Sequence, residues 1–209
     1  AEKGYFAKEE LFYLRQANHM LQGHPDMKHT PGVDMTTGSL GQGLSVANGM
    51  ALSSKLDSRG YRVYCILGDG ELQEGQVWEA AMSAEKYQLD NLCVIIDANE
   101  LQLTDSTMNV KGINYNDIEQ KFRAFGLQTV VIDGHNIESI IRALTIAEMT
   151  KGKPTAIICK TIKGKGVSFM ENQVDWHGKA PNDEEYEMAV KELKQEAEKI
   201  QEKIMNREV

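Results

Sequence analysis

The chain has 209 residues, 41% of them hydrophobic, enough to bury one sizeable core in a single domain. Its 23 basic residues stand against 31 acidic ones, and the resulting charge of −8 argues against a nucleic-acid footprint. No apolar run approaches the ~20 residues of a membrane span, and the opening "AEKGYFAKEELF" does not read as a secretory signal.

In chain order, the pattern predicts helix over 40–55, strand over 62–67 ("RVYCIL"), helix over 75–88 and strand over 92–97 ("LCVIID"). Helix over 115–124, strand over 127–133 ("LQTVVID"), helix over 136–149 and strand over 155–160 ("TAIICK") follow. The strand runs are β-branched, nearly continuous in apolarity and bounded by Gly, Asp or Pro, as strands buried on both faces should be. Strands alternating with helices predict an α/β fold: a parallel sheet with helices on both faces. No internal repeat interrupts the series. Cys65, Cys93 and Cys159 each lie in a strand-like run without CxxC spacing, which reads as buried free thiols in a reducing, cytoplasmic compartment.

Tyr186, Val190, Leu193, Ala197, Ile200 and Ile204 recur at spacings of four and three, an apolar seam in a charged helix. Three heptads are few for a coiled coil, so the seam is expected to dock on its own domain. Residues 1–181 are thus expected to form the main domain, and 182–209 an amphipathic helix belonging to it.

The candidate chemistry lies in "GDGELQEGQVWEAAM", residues 68–82. In open α/β sheets ligands gather outside the carboxyl ends of the strands. Asp69 follows the strand 62–67 and Asn99 follows the strand 92–97, and a right-handed crossover brings both strand ends to one edge. A carboxylate and an amide oxygen are hard ligands suited to Mg²⁺ or Ca²⁺, with phosphate oxygens and water completing the shell. Gly68 and Gly70 would let the backbone approach a phosphate closely, and the helix starting near Gly75 would turn its positive end toward an anion. Gly-Asp-Gly alone also suits a type I′ turn or an aspartate cap; the separation from Asp69 to Asn99 across one strand–helix–strand unit is what strengthens the metal reading.

That spacing resembles thiamine diphosphate enzymes. "QGHPDMKHTPGVDMTTGSLGQGLSVANGMALSSKL", "LGDGELQEGQVWEAAMSA" and "KTIKGKGVSFMENQVDWHGKAP" closely resemble the diphosphate-binding domain of transketolase, over residues 20–181. The chain is most similar in form to the amino-terminal subunit of a split, two-gene transketolase. The resemblance implies thiamine diphosphate and Mg²⁺ as cofactors, with Ca²⁺ or Mn²⁺ as substitutes. It implies metal ligation by Asp69, Asn99 and the main chain of Leu101, and diphosphate contact by Gly68 and Gly70. Gly38, Ser39 and Leu40 in "TTGSLGQG" would touch the cofactor through their backbone, and Lys163 in "KTIKGKG" matches a cofactor-contacting lysine. His24 in "QGHPD" and His177 in "WHGKAP" resemble active-site histidines, the second near both the diphosphate and the substrate. Glu74 matches a glutamate in a proton relay between two active sites across a dimer, and Glu79 is read as part of the same interface network.

Plainer readings stand beside these. Glu79 could face solvent, His24 could be a turn residue, His177 could pack on Trp176, and "KGKG" could be a basic turn. His19, His29 and His135 are expected to be structural or exposed. The family's amino-terminal domains carry a preceding stretch with "GHPGG"-like and "SKGHA"-like motifs, and this sequence starts just after where the second would end. Glu100 stands where the family has glycine, which would place a negative charge near the diphosphate. The implied reaction moves a two-carbon ketol unit from a ketose phosphate to an aldose phosphate, the cofactor acting as electron sink. The implied partner is a carboxy-terminal subunit that binds the pyrimidine, in a dimer or heterotetramer. A related synthase of the 1-deoxyxylulose-phosphate type and a non-catalytic scaffold are the alternatives.

Overall fold

The computed structural model describes residues 1–206. Up to Gly41 the chain runs through turns and bends with one 3₁₀ helix, Lys8–Tyr13. Then come α1 (Gln42–Leu56), β1 (Val63–Gly68), α2 (Gly75–Lys86), β2 (Leu92–Ala98) and α3 (Thr107–Lys111). These are followed by α4 (Tyr115–Ala124), β3 (Gln128–Asp133), α5 (Ile137–Met149), β4 (Thr155–Lys160) and α6 (Asp183–Met205).

All strand pairs are parallel, in the order β1-β2-β4-β3. Because side chains alternate along a strand, each strand supplies two faces. Val63, Cys65 and Leu67 of β1, Leu92, Val94 and Ile96 of β2, and Ala156 and Ile158 of β4 face the larger core with α1, α2 and α4. Cys93, Ile157 and Cys159 point the other way and pack with Ala143 and Ala147 of α5. Helices therefore cover both faces, as the alternation predicts. Burial pushes the three free thiols up to about 11, so they are inert apolar fillers at neutral pH.

The expectation that every strand is covered on both sides fails at β1. Tyr64 is 54% and Ile66 72% exposed, because β1 is an edge strand and the helix on that side, α5, packs over β3. A continuous apolar run records that a residue is apolar, not whether anything within the described residues covers it. The seam of α6 is covered in part. Ala189 is buried and Ser168 donates to Glu192 at 2.6 and 2.7 Å, tying down the first half of the helix. Leu193 reaches Gly166 but stays 47% exposed, and Ile200 and Ile204 are about half exposed, so cover thins toward the end of the helix.

Several helix starts carry local signals worth about 1 kcal/mol each. Asn114 with Asp117 and Asn182 with Glu185 form capping boxes, and Asn136 accepts from Ser139 N–H at 2.9 Å. Trp78 of α2 packs on Phe122 and Phe125 at ring separations of 5.1 and 5.2 Å, joining α2 to the α4 end.

Candidate functional site

Parallel pairing sets Gly68 at the end of β1 level with Asp97 of β2, and Asp69 N–H donates to the Asp97 carbonyl at 3.2 Å. The turn that follows points Asp69 inward, leaving it 1% exposed. Its Oδ2 accepts the Glu100 N–H at 2.5 Å, so the carboxylate lies against the loop that leaves β2. Burial raises the Asp69 pKa, opposed by the Glu100 N–H and by the charge of Lys111. Asn99 is half-buried, and its Oδ1 accepts the Leu101 N–H at 3.0 Å. The turn holding Asp69 and the turn holding Asn99 and Leu101 thus meet through one hydrogen bond, at the edge where the crossover brings the two strand ends together.

Glu100 sits in this turn with φ 61, a left-handed conformation that favours glycine. Its carbonyl accepts Thr107 N–H at 2.9 Å, and Leu101 bridges Ser106, so the loop folds back on itself. Among the described residues, no group of three or more His, Cys, Asp or Glu side chains could hold a metal. A cation here would rely on one carboxylate, one amide and a main-chain oxygen, a hard-oxygen set that suits Mg²⁺ or Ca²⁺ and not Zn²⁺. The fit is chemical: a carboxylate this deeply buried is the kind of group that a bound cation compensates.

A second group of predicted residues meets beside the first. Gly38 and Gly41 have φ 139 and 81, and a methyl group on Gly38 would fall 2.8 Å from the His24 ring. One on Gly41 would fall 2.6 Å from the Glu74 Cβ. The "GSLG" loop, His24 and the start of α2 are therefore in contact. Glu71, which sequence reasoning passed over, fastens this loop to the sheet: its carboxylate accepts Gly41 N–H at 2.8 Å and Gly68 N–H at 3.2 Å. Ser39 and Leu40 are exposed, as are His24, Glu74 and Glu79. Neither Glu74 nor Glu79 makes a side-chain hydrogen bond or ion pair among the described residues. Gly70 packs against Gln102, whose Oε1 accepts from Gln73 at 2.5 Å.

The remaining predicted residues lie in the segment after β4. Lys163 is half-buried, and its carbonyl accepts Asn172 N–H at 3.0 Å; His177 is exposed at the end of a 3₁₀ turn, Val174–His177. No hydrogen bond or ion pair joins either of them to Asp69 or Asn99 among the described residues. His135 holds this segment to the sheet edge by accepting Ile162 N–H at 2.8 Å. His19 stacks on Tyr13 and His29 pairs with Asp26, in keeping with structural roles.

Lys111 is the second residue that the sequence did not reveal. It closes α3, and its Nζ donates to the main-chain carbonyl of Asp69. A signal was present: Ser106 caps α3 by accepting Asn109 N–H at 3.1 Å, and Gly112 ends it with φ 63.

Residues 3–206 match the family described as "Transketolase, thiamine diphosphate binding domain". The chain is 45% identical over 196 residues to the 6-deoxy-6-sulfo-D-fructose transketolase subunit SqwG of a Clostridium species, covering 94% of this chain and 70% of that subunit. It is 40% identical over 199 residues to an apulose-4-phosphate transketolase subunit of Phocaeicola vulgatus, covering 95% of this chain and 70% of that subunit. Against human transketolase the identity is 47% over 181 residues, spanning 86% of this chain but 28% of that enzyme. Among solved structures, transketolase from Campylobacter jejuni superposes with TM-score 0.82 at 33% identity, covering 88% of this chain and 30% of that one. No helix among the described residues is long and apolar enough to cross a membrane. With the match running over nearly the whole chain and the Asp69–Asn99 turn at the expected sheet edge, the chain belongs to the transketolase family, as a thiamine diphosphate binding domain.

Proposed function

We propose that this chain is the diphosphate- and metal-binding subunit of a two-subunit, cytoplasmic transketolase. The observation that carries the reading is Asp69: a carboxylate 1% exposed, at the carboxyl edge of a parallel sheet, one hydrogen bond from the turn holding Asn99. Asp69, the Asn99 amide oxygen and the Leu101 carbonyl hold Mg²⁺, for which Ca²⁺ or Mn²⁺ substitutes. Gly68 and Gly70 give the diphosphate room, while Gly38, Ser39 and Leu40 meet the cofactor through their backbone. Bound thiamine diphosphate supplies the electron sink that lets a two-carbon ketol unit leave a ketose phosphate and join an aldose phosphate. His24, packed on Gly38, orients the reacting end of the donor sugar, and His177 and Lys163 serve the diphosphate side.

Glu74 serves proton sharing at a subunit contact, which suits its exposure in the single chain. The partner is a carboxy-terminal subunit that houses the pyrimidine, and together they form a dimer or heterotetramer. Residues 182–209 belong to the same domain as 1–181. The similar subunits are named for 6-deoxy-6-sulfo-D-fructose and apulose-4-phosphate, which supports a sugar substrate with an anionic end group.

The test is reconstitution. The purified chain is titrated with Mg²⁺ and thiamine diphosphate, with and without a pyrimidine-domain subunit, and ketol transfer is measured in each case. Activity should require both subunits. Ketol transfer by the chain alone, or no cofactor binding in the presence of the partner, would overturn the reading.

A further inference from the structure

We propose that Lys111 is the resident cation of the metal site: its ammonium, held on the Asp69 main-chain carbonyl, offsets the nearby carboxylate charge when no divalent ion is bound and repels one that arrives. The inference rests on the proposal that Asp69 is a metal ligand.

The placement is specific. The chain leaves Asn99, turns through Glu100 in the left-handed region, and doubles back through the Leu101–Ser106 bridge. Gln102 N–H donates to the Asp105 carbonyl at 2.9 Å, which tightens that excursion. Thr107, 1% exposed, anchors α3 by donating from its N–H to Glu100 and from its hydroxyl to the Ile113 carbonyl at 3.2 Å. At the end of this five-residue helix the chain delivers Lys111 to the Asp69 main-chain carbonyl. The side chain is half-buried, yet its charge and that of Asp69 support each other. No other side-chain cation makes a hydrogen bond or ion pair with Asp69 among the described residues. One ammonium therefore joins the Gly-Asp-Gly turn to the loop that holds Asn99 and Leu101, the two pieces that must be together for a metal to be held.

Two consequences follow from charge alone. A buried carboxylate deprived of its nearby cation is costly, so the metal-free site depends on Lys111. A fixed positive charge also repels an incoming free cation: at roughly 6 Å, screened as in water, one unit charge weakens divalent binding about tenfold. A cofactor diphosphate brings its own negative charge and offsets that repulsion, so the site favours metal that arrives with diphosphate over metal alone.

The experiment uses the full chain, stripped of metal, with Mn²⁺ as probe. Mn²⁺ binding is read by paramagnetic resonance and calorimetry without thiamine diphosphate, and thermal melting is followed in parallel. Lys111→Met should lower the melting temperature of the metal-free chain and tighten Mn²⁺ binding about tenfold. Lys111→Arg, which keeps the charge, should behave like the parent in both. Lys111→Gln replaces the methionine variant if the latter does not fold, with the same expected direction. Lys151→Met, which removes an exposed charge on the far side of the domain, should leave Mn²⁺ binding unchanged.

Lys111→Met binding Mn²⁺ within twofold of the parent, or methionine and arginine variants behaving alike, would overturn the inference. Asp69→Ala separates it from the reading beneath it. If Asp69→Ala abolishes Mn²⁺ binding while Lys111→Met leaves affinity unchanged, the metal site stands and the role of Lys111 falls. If the parent binds no Mn²⁺ even with thiamine diphosphate present, the metal site fails and this inference falls with it.

Discussion

Replacing Asp69 with asparagine separates the cost of its burial from its proposed use. The side chain is 1% exposed, and burial dominates its environment: its pKa is raised in spite of the Glu100 N–H at 2.5 Å and the positive charge of Lys111. In the metal-free chain the ionised form is therefore under net strain, and neutralising it should help. Asparagine has nearly the same volume and keeps an oxygen to accept the Glu100 N–H. The exchange of a charge-assisted hydrogen bond for a neutral one costs about 1 kcal/mol. Relief of the buried charge returns more than that, because the effective penalty for an ion in a protein interior is several kcal/mol before compensation. A net gain of about 1 kcal/mol moves the melting temperature of a chain this size up by about 2–4 °C. The parent, saturated at 100-fold its dissociation constant with Mg²⁺ and thiamine diphosphate, should gain about 2.7 kcal/mol. The variant, lacking the only charged metal ligand in the proposed set, should gain almost none. Thermal melts of both proteins with and without cofactor make the comparison, with the pyrimidine-domain partner included if the chain binds weakly alone. An Asp69→Asn chain that melts below the parent without cofactor, or gains as much from cofactor as the parent does, would refute the reasoning.

Glu100→Gly should stabilise the metal-free chain by up to about 1 kcal/mol, since φ 61 strains a residue with a Cβ; a urea melt showing a loss would mean that the side chain makes a contact of greater worth. Asp90 is held below its ordinary value of 3.8, where burial is outweighed by the Gly152 N–H at 2.9 Å and by Lys55 at 2.9 Å. A depressed folded-state pKa contributes stability above 3.8 that is lost as pH falls through the folded value. Asp90→Asn should thus cost about 1–2 kcal/mol near neutral pH, and the gap to the parent should close below that value; a gap independent of pH would exclude the charge as its source. Phe122 is fully buried against Trp78, so Phe122→Ala should cost about 3–5 kcal/mol by chemical denaturation, and a loss under 1 kcal/mol would show that the α2–α4 contact is not what holds that side of the core. Glu74→Gln, reconstituted with a pyrimidine-domain subunit, should impair assembly and cofactor activation while leaving metal binding intact; parent-like values throughout would make it a surface residue, for which shifts under about 0.5 kcal/mol are usual.

How legible was this molecule in its sequence? The strand predicted over 155–160 and the helix over 115–124 coincide with β4 and α4, and the other strands agree to within a residue at each end. These are long apolar or strongly periodic segments with Gly, Asp, Asn or Pro at their borders, and both signals are local. Coverage is not local. Tyr64 and Ile66 are as apolar as Cys65 and Leu67, yet their side of β1 is open. Nothing along the strand could have separated the two faces. The five-residue α3 was too short to show a period, although Ser106 and Gly112 mark its ends. At the site, Asp69 and Asn99 could be paired in advance because a strand–helix–strand unit fixes where strand ends meet. Glu71 and Lys111 could not, since each reaches its partner by a route that only folding creates: one across to the "GSLG" loop, the other through a hairpin and a short helix. Lys163 and His177 rest on family resemblance alone, and among the described residues no hydrogen bond or ion pair ties them to Asp69 or Asn99.

Arg15, Asn18, Ser58, Gln88 and Asn172 share the left-handed backbone of Glu100, but Glu100 is the one whose N–H meets a buried carboxylate. Much of the rest is locally consistent: capped helices, alternating strand faces, thiols used as apolar filler. Around Asp69 three costs coincide: a buried carboxylate, a half-buried lysine beside it, and a left-handed glutamate between Asn99 and Leu101. The buried carboxylate and the left-handed glutamate each oppose stability, and a sequence selected for stability alone could remove both, and with them the need for the lysine, by ordinary substitutions. Their coincidence within one hydrogen-bonded group is what a site held ready for a ligand requires. The compensation is also local. Lys111 binds the Asp69 main-chain carbonyl and brings a positive charge beside the carboxylate, Thr107 holds the carbonyl of the strained residue, and Glu71 fastens the glycine loop alongside. In the proposed cation site these three contacts would keep the oxygen ligands placed before the cation arrives.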